Sequence, residues 1–287
     1  MTTSVRRTWR ANQERLGTIA GQSVMHAILI AVSFAAIMPF VWMTLASFKP
    51  YAEIVSSRAL LPKVWTLGNY AQIIDRVGFL AAFRNSIAIA VPVTFMTVLT
   101  STAVGFVFAK YHFWRKDLFF TILLCTMMVP FTVVLIPLYV TIADMRLVNT
   151  LWGIIITGLF STFGIFMLRQ SIEGIPNDYI DAARIDGASE AWIFTQVIVP
   201  LSMPAISALA IFVFLGNWDS FMWPSVVLKS PNVQTLPLIL AGLRSLWWER
   251  YDMWTAGSML TVVPVMILYA VASKQFIRGI AMAGLKG

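Results

Sequence analysis

One cysteine and two histidines are all that 287 residues offer toward thiolate or imidazole chemistry. Cys125 lies inside an apolar run, so an intrachain disulfide and a thiolate metal cluster are excluded, and it reads as a small buried hydrophobe. His26 and His112 are far apart and neither belongs to an H-E-x-x-H motif, so no metal site is assigned. Charge is also scarce. Charged residues make up 12% of the chain, against about 25% in a soluble domain. So few charges cannot cover a water-facing surface on a chain that is 59% hydrophobic with a mean hydropathy of +0.78. A soluble enzyme and a disordered chain are thereby excluded. The phosphate-cradling pattern G-x-x-x-x-G-K-S/T is missing as well: Lys229-Ser230 is the single Lys-Ser/Thr pair, and no glycine run precedes it.

What the chain has is long apolar segments. Six are read: about Ile19 to Trp42 with continuation to Phe48, Ser86 to Phe108, Leu118 to Tyr139, Leu151 to Leu168, Leu201 to Trp223, and Trp254 to Ala272. Each approaches the roughly 20 residues that cross a bilayer core. The first follows Arg6, Arg7, Arg10 and Arg15 and outruns the apolar stretch of a cleavable leader, so it is expected to be an uncleaved anchor. The expectation is an all-α membrane protein: a tail over 1–18, a six-helix domain over 19–273 and a second tail over 274–287. The basic first tail and the tight segment Lys110, Arg115, Lys116 place both termini in the cytoplasm. The net charge of +8 is assigned to that bias and to anionic lipid. No stretch has the basic-aromatic density of a nucleic-acid site, so no nucleic-acid partner is expected. Spans two, three, four and six carry no ionisable side chain at their centres, which argues against a proton-driven carrier. Such a composition fits a pathway for a neutral, hydroxylated solute or a purely structural bundle.

The inner connection over 169–200 is unusual. Pro176, Asn177, Asp178 and Asp181 suit the start of a short helix, Gly187 its left-handed end, and Ser189 the cap of a second helix from Glu190 toward Val199. Ala182, Ala183, Gly187 and Ala188 leave its backbone open to close approach, and Ile180, Trp192, Ile193 and Phe194 add apolar surface. The pattern fits a docking knob for a cytoplasmic partner or an interfacial helix lying on the membrane.

Asp181-Ala182-Ala183, three residues, Gly187, nine residues, then Val197-Ile198-Val199-Pro200 resembles the EAA loop of permease subunits in binding-protein-dependent ABC importers. That family's pattern is E-A-A, three residues, G, nine residues, I-x-L-P. Departures fall at Asp181, Val197 and Val199. The ending Arg278-Gly279 through Ala283-Gly284-Leu285-Lys286-Gly287 resembles that of MalG-like subunits of sugar importers, and Asn217-Trp218-Asp219 resembles the family's W-N-x-F stretch.

The resemblance implies a type I importer permease fold in a bacterial inner membrane, with the 169–200 loop as a coupling helix. It implies no catalytic residue and no cofactor in this chain, ATP and magnesium being bound by a separate ATPase. The implied partners are two such ATPase subunits, a second MalF-like permease, an extracytoplasmic solute-binding protein, a carbohydrate and lipid. The implied coupling contacts are Asp181, Ala182, Ala183, Asp186, Gly187, Ala188, Glu190 and Trp192. Gly284, Leu285, Lys286 and Gly287 are implied tail contacts, and Asn217, Trp218 and Asp219 the residues along the path. Trp247-Trp248, Tyr251 and Trp254 in and after the outer loop fit sugar stacking, an interfacial aromatic belt, or contact with the binding protein. A stand-alone channel or carrier remains the alternative. A membrane enzyme finds no catalytic set here.

Overall fold

The computed structural model describes residues 3–76, 78–245 and 250–284, with side chains described for 21–75, 78–243, 250–267 and 269–270. Among the described residues every regular element is helical. With the 169–200 connection taken as the inner side, α1 (Thr3–Ser47) is followed by two short outer helices, α2 (Tyr51–Ser56) and α3 (Gly68–Arg76), and by the long α4 (Phe79–Lys110). α5 (Lys116–Cys125), α6 (Phe131–Asp144), α7 (Trp152–Ile155) and α8 (Thr162–Glu173) lead to the inner connection, which holds α9 (Asp178–Ile185), α10 (Glu190–Trp192) and α11 (Val199–Leu201). α12 (Met203–Trp218), α13 (Met222–Val227), α14 (Leu236–Ser245) and α15 (Tyr251–Gly284) complete the chain.

Four stretches are long and apolar enough to cross a membrane: Gly21–Ser47, Phe79–Lys110, Trp152–Glu173 and Met203–Val227. The third predicted segment is not one straight helix. Lys116–Met128 and Phe131–Asp144 meet at 97°. Pro130 supplies no N–H, and Val129 before it is extended at φ −83° and ψ 115°, the conformation that a following proline favours. The pair counts as a fifth span if taken together. The sixth predicted segment lies within the 34-residue α15.

The fourth and fifth spans are also interrupted. Beyond a short 3-10 turn, Ser161 restarts the fourth span by accepting a hydrogen bond from Gly164 N at 3.1 Å. In the fifth, α12 ends at Trp218 and α13 begins at Met222. Such breaks occur at membrane depth where protein or an aqueous cavity covers the backbone. Cys125, expected to be buried, is exposed on this chain.

α4 packs most extensively on α8 and then on α12. Small residues permit it. A Cβ on Gly105 would stand 2.9 Å from Arg169 N, and one on Gly164 would stand 2.4 Å from Ser101 Oγ. Glycine at these two points lets the backbones approach. An outer apolar cluster around Trp218, Ile73 and Leu236 and a middle one around Ile89, Ile142 and Trp223 fill the bundle. The inner cluster comprises Phe106, Leu168, Ile172, Ile180, Ala183, Ile193, Ile198 and Leu209.

Candidate functional site

The inner connection folds into a two-armed elbow. Asp178 and Asp181 occupy the first turn of α9 and Arg184 its last, each charge opposed to the nearby helix pole. Gly187 takes φ +81°, and the bonds from Gly187 N to Arg184 O (3.0 Å) and from Ala188 N to Ala183 O (2.9 Å) close the turn. Ser189 caps the second arm, its side chain accepting from Trp192 N at 3.3 Å. That arm is not uniformly α-helical: Ile193–Ile198 forms a wider π turn before α11. Pro200 explains it, because its ring in a regular helix would press on the carbonyl four residues back. Asn177 caps nothing. Its Oδ1 accepts instead from Lys110 Nζ at 2.9 Å.

The elbow stands on the inner apolar cluster. Ile180 (2% exposed) and Ile193 (0%) were expected to present apolar surface to water, yet they are its footing. Phe194 packs partly on the same cluster. Ala183 is buried there and Ala188 half-buried, so both face the chain's own core. Asp181, Ala182, Asp186, Gly187, Glu190 and Trp192 are exposed. They share the outward surface with Tyr179 and with Ile185, which is 87% exposed. The sequence reading missed Ile185 and Tyr179; an isoleucine in the last turn of a short, acid-rich helix was the available signal.

The two arms are tied together. Arg184 Nε donates to Glu190 Oε1 at 2.8 Å and its NH2 group to Oε2 at 3.3 Å, while the Tyr111 hydroxyl donates to Glu190 Oε2. Asp181 lies 3.6 Å from Arg184. The Arg184 hydrogen bond, followed by that of Tyr111, holds the Glu190 carboxyl below its ordinary range. The same Glu190 bond raises Arg184. Burial first, then Glu190, raises the Tyr111 phenol.

The expected path residues separate. Trp218 is fully buried, stacked on Phe214, edge-on to Phe83, and donates to Thr261 O at 3.3 Å; it is a core anchor. Asn217 donates to Val213 O at 2.8 Å, and Asp219 is exposed where α12 ends. Trp254 packs against the outer cluster. Trp247-Trp248, Leu285, Lys286 and Gly287 lie outside the described residues, as do the side chains of Arg6, Arg7, Arg10 and Arg15. Gly284 is the last residue of α15.

Broken apolar spans around a small-residue seam, with an exposed, internally braced elbow at one end, define a multi-span membrane protein. Residues 101–278 match the family of binding-protein-dependent transport system inner membrane components, and the chain belongs to that family. The arabinooligosaccharides transport system permease protein AraQ of Halalkalibacterium halodurans is 35% identical over 260 residues, covering 89% of this chain and 93% of that protein. The lactose transport system permease protein LacG of Rhizobium radiobacter is 29% identical over 256 residues, covering 89% and 93%. Among solved structures, a chain of a bacterial ABC transporter involved in the import of the acidic polysaccharide alginate shares the fold. Its TM-score is 0.80 at 22% identity, over 91% of this chain and 98% of that one.

Proposed function

We propose that this chain is one of two permease subunits of an ATP-driven, binding-protein-dependent carbohydrate importer, with both termini in the cytoplasm. The elbow is the observation that carries the reading. Asp181, Ala182, Asp186, Gly187 and Trp192 face outward from a braced, core-seated turn, and a packed helix in a partner's groove can transmit motion because such interfaces have discrete arrangements. The occupant of that surface is an ATPase subunit, which binds ATP and magnesium. The complete assembly has two ATPase subunits, a second permease and an external binding protein. The relatives' names, arabinooligosaccharides and lactose, and the shortage of charge within the spans support a neutral sugar. Asn217 and Asp219, beside the break in the fifth span, line its path, and Trp218 braces them from behind.

The test is Gly187→Trp. The substitution adds bulk on the outward face and penalises the left-handed turn. Sugar uptake is expected to vanish and co-purification of the ATPase to weaken, with the membrane level of the chain unchanged. Normal uptake and normal complex yield would remove the coupling assignment. Sugar flux into liposomes holding this chain alone, without ATP, would establish the channel alternative.

A further inference from the structure

Residues 110 and 111, the last of α4 and its immediate successor, grip both sides of the elbow. Lys110 Nζ donates to Ile175 O, to Asn177 Oδ1 at 2.9 Å and to Glu173 O at 3.4 Å, holding the approach to the first arm. Tyr111 donates to Glu190 at the start of the second arm. The Tyr111 ring is fixed in turn by an edge-on contact with Phe106 at 5.3 Å. α4 stays helical over thirty-two residues, with Pro92 inside it removing one backbone hydrogen bond, and is about 48 Å long at 1.5 Å per residue.

Its other end grips a different loop. Asn85 Nδ2 donates to Asn232 O (2.9 Å) and Gln234 O (3.0 Å), and Ser86 Oγ accepts from Leu236 N at 3.0 Å. Asn85 and Ser86 are 4% and 2% exposed, so these bonds are made away from water. The segment they hold belongs to the long connection between α13 and α14, on the face opposite the elbow.

From this we infer that α4 is a transmission rod: it carries displacement of the elbow to the outer loop over 232–236, with Lys110, Tyr111, Asn85 and Ser86 as its positioning residues. The covalent route from the elbow is less regular. Gly174 ends α8, and on the other side the Ile193–Ile198 π turn precedes Ser202, where α11 gives way to α12. α4 is instead a single helix, and it packs closely on α8, where Gly105 faces the Arg169 backbone. The inference rests on the elbow being the ATPase seat.

A rod in series makes a quantitative demand. Once one grip is lost, losing the other changes nothing more, and a double-mutant cycle reads that directly. The measurement is sugar imported per ATP hydrolysed, by the complete complex in proteoliposomes. Tyr111→Phe combined with Lys110→Met opens the inner grip, and Asn85→Leu opens the outer one, with Ser86→Ala as a second outer variant. Each end is expected to lower the ratio by about ten-fold, within the range of measured coupling. The combined variant should fall no further, and Lys110→Arg should retain the wild-type ratio. An unchanged ratio, losses that multiply in the combined variant, an effect at one end only, or losses that track complex yield would each overturn the rod. If Gly187→Trp leaves the ATPase fully attached, the elbow reading falls instead, which is a separate outcome.

Discussion

α1 and α4 are both long and apolar enough to span a bilayer, yet none of the apolar window of α1 is buried within the chain, against 33% of that in α4. Hydrophobicity does not separate them. Nor do small residues alone: Ala27, Ala31 and Ala35 fall four apart on α1 and are all exposed. The buried seam of α4 runs through Ser86, Ala90, Thr97, Ser101 and Gly105, and some of its polar members find acceptors on other segments. Thr97 donates to Gly158 O at 2.8 Å, and neighbouring Thr100 to Leu159 O at 3.2 Å. In a bilayer, where burying oil against oil gains little, close backbones and cross-helix hydrogen bonds decide which helices associate. α1 joins the bundle near its end, where Thr44 Oγ1 meets Met259 Sδ at 3.3 Å and Ala46 is buried, while its exposed apolar side chains from Val24 to Trp42 are left to lipid or a partner.

The contrast can be broken most directly by truncating one aromatic ring on each helix. Phe106 on α4 is 4% exposed and Phe34 on α1 is 69% exposed. Phe106→Ala is expected to cost about 3–5 kcal/mol, and Phe34→Ala less than about 0.5 kcal/mol, by thermal unfolding of the purified chain. Equal losses would end the distinction. Gly105→Leu sharpens it by overfilling the seam: the first added carbon already meets the Arg169 backbone at 2.9 Å. A penalty of about 1–3 kcal/mol is expected, and disulfide trapping between cysteines placed on α4 and α8 should slow.

The smallest effect belongs to the elbow brace. Glu190 and Arg184 side chains are 50% and 42% exposed, so solvent screening holds Glu190→Gln under about 1 kcal/mol. Because the folded value of Glu190 is depressed below 4.5, its contribution is fully present above that ordinary value and lost as pH falls through the lower one. Melting curves of the two proteins should therefore differ at neutral pH and converge in acid. A difference that grew on acidification would contradict the brace.

The elbow was legible because its signals are local. Gly187 needed only its own conformation, Ser189 a donor three residues on, and both formed as the sequence predicts. Its outward face was less legible. Whether Ile180 or Ile185 points to the core depends on where α4 and α8 stand, and no spacing within the loop encodes that. The bend at Val129–Pro130 shows the same limit, since proline marks where a helix can break without fixing the angle. Lys110 counted only as the edge of a basic loop and Tyr111 was not singled out; their partners lie more than sixty residues away. The tryptophan of the Asn217-Trp218-Asp219 stretch suggested a residue along the solute path, but its full burial turns it into scaffold.

A Cβ built at Gly187 meets nothing within 4 Å in this chain. The prohibition on a side chain there is thus one of chirality and not of room. A methyl placed there by Gly187→Ala would cost the turn some torsional strain and point into space that this chain leaves empty. Whatever such a methyl disturbs beyond that strain is then a property of the visitor and not of the host.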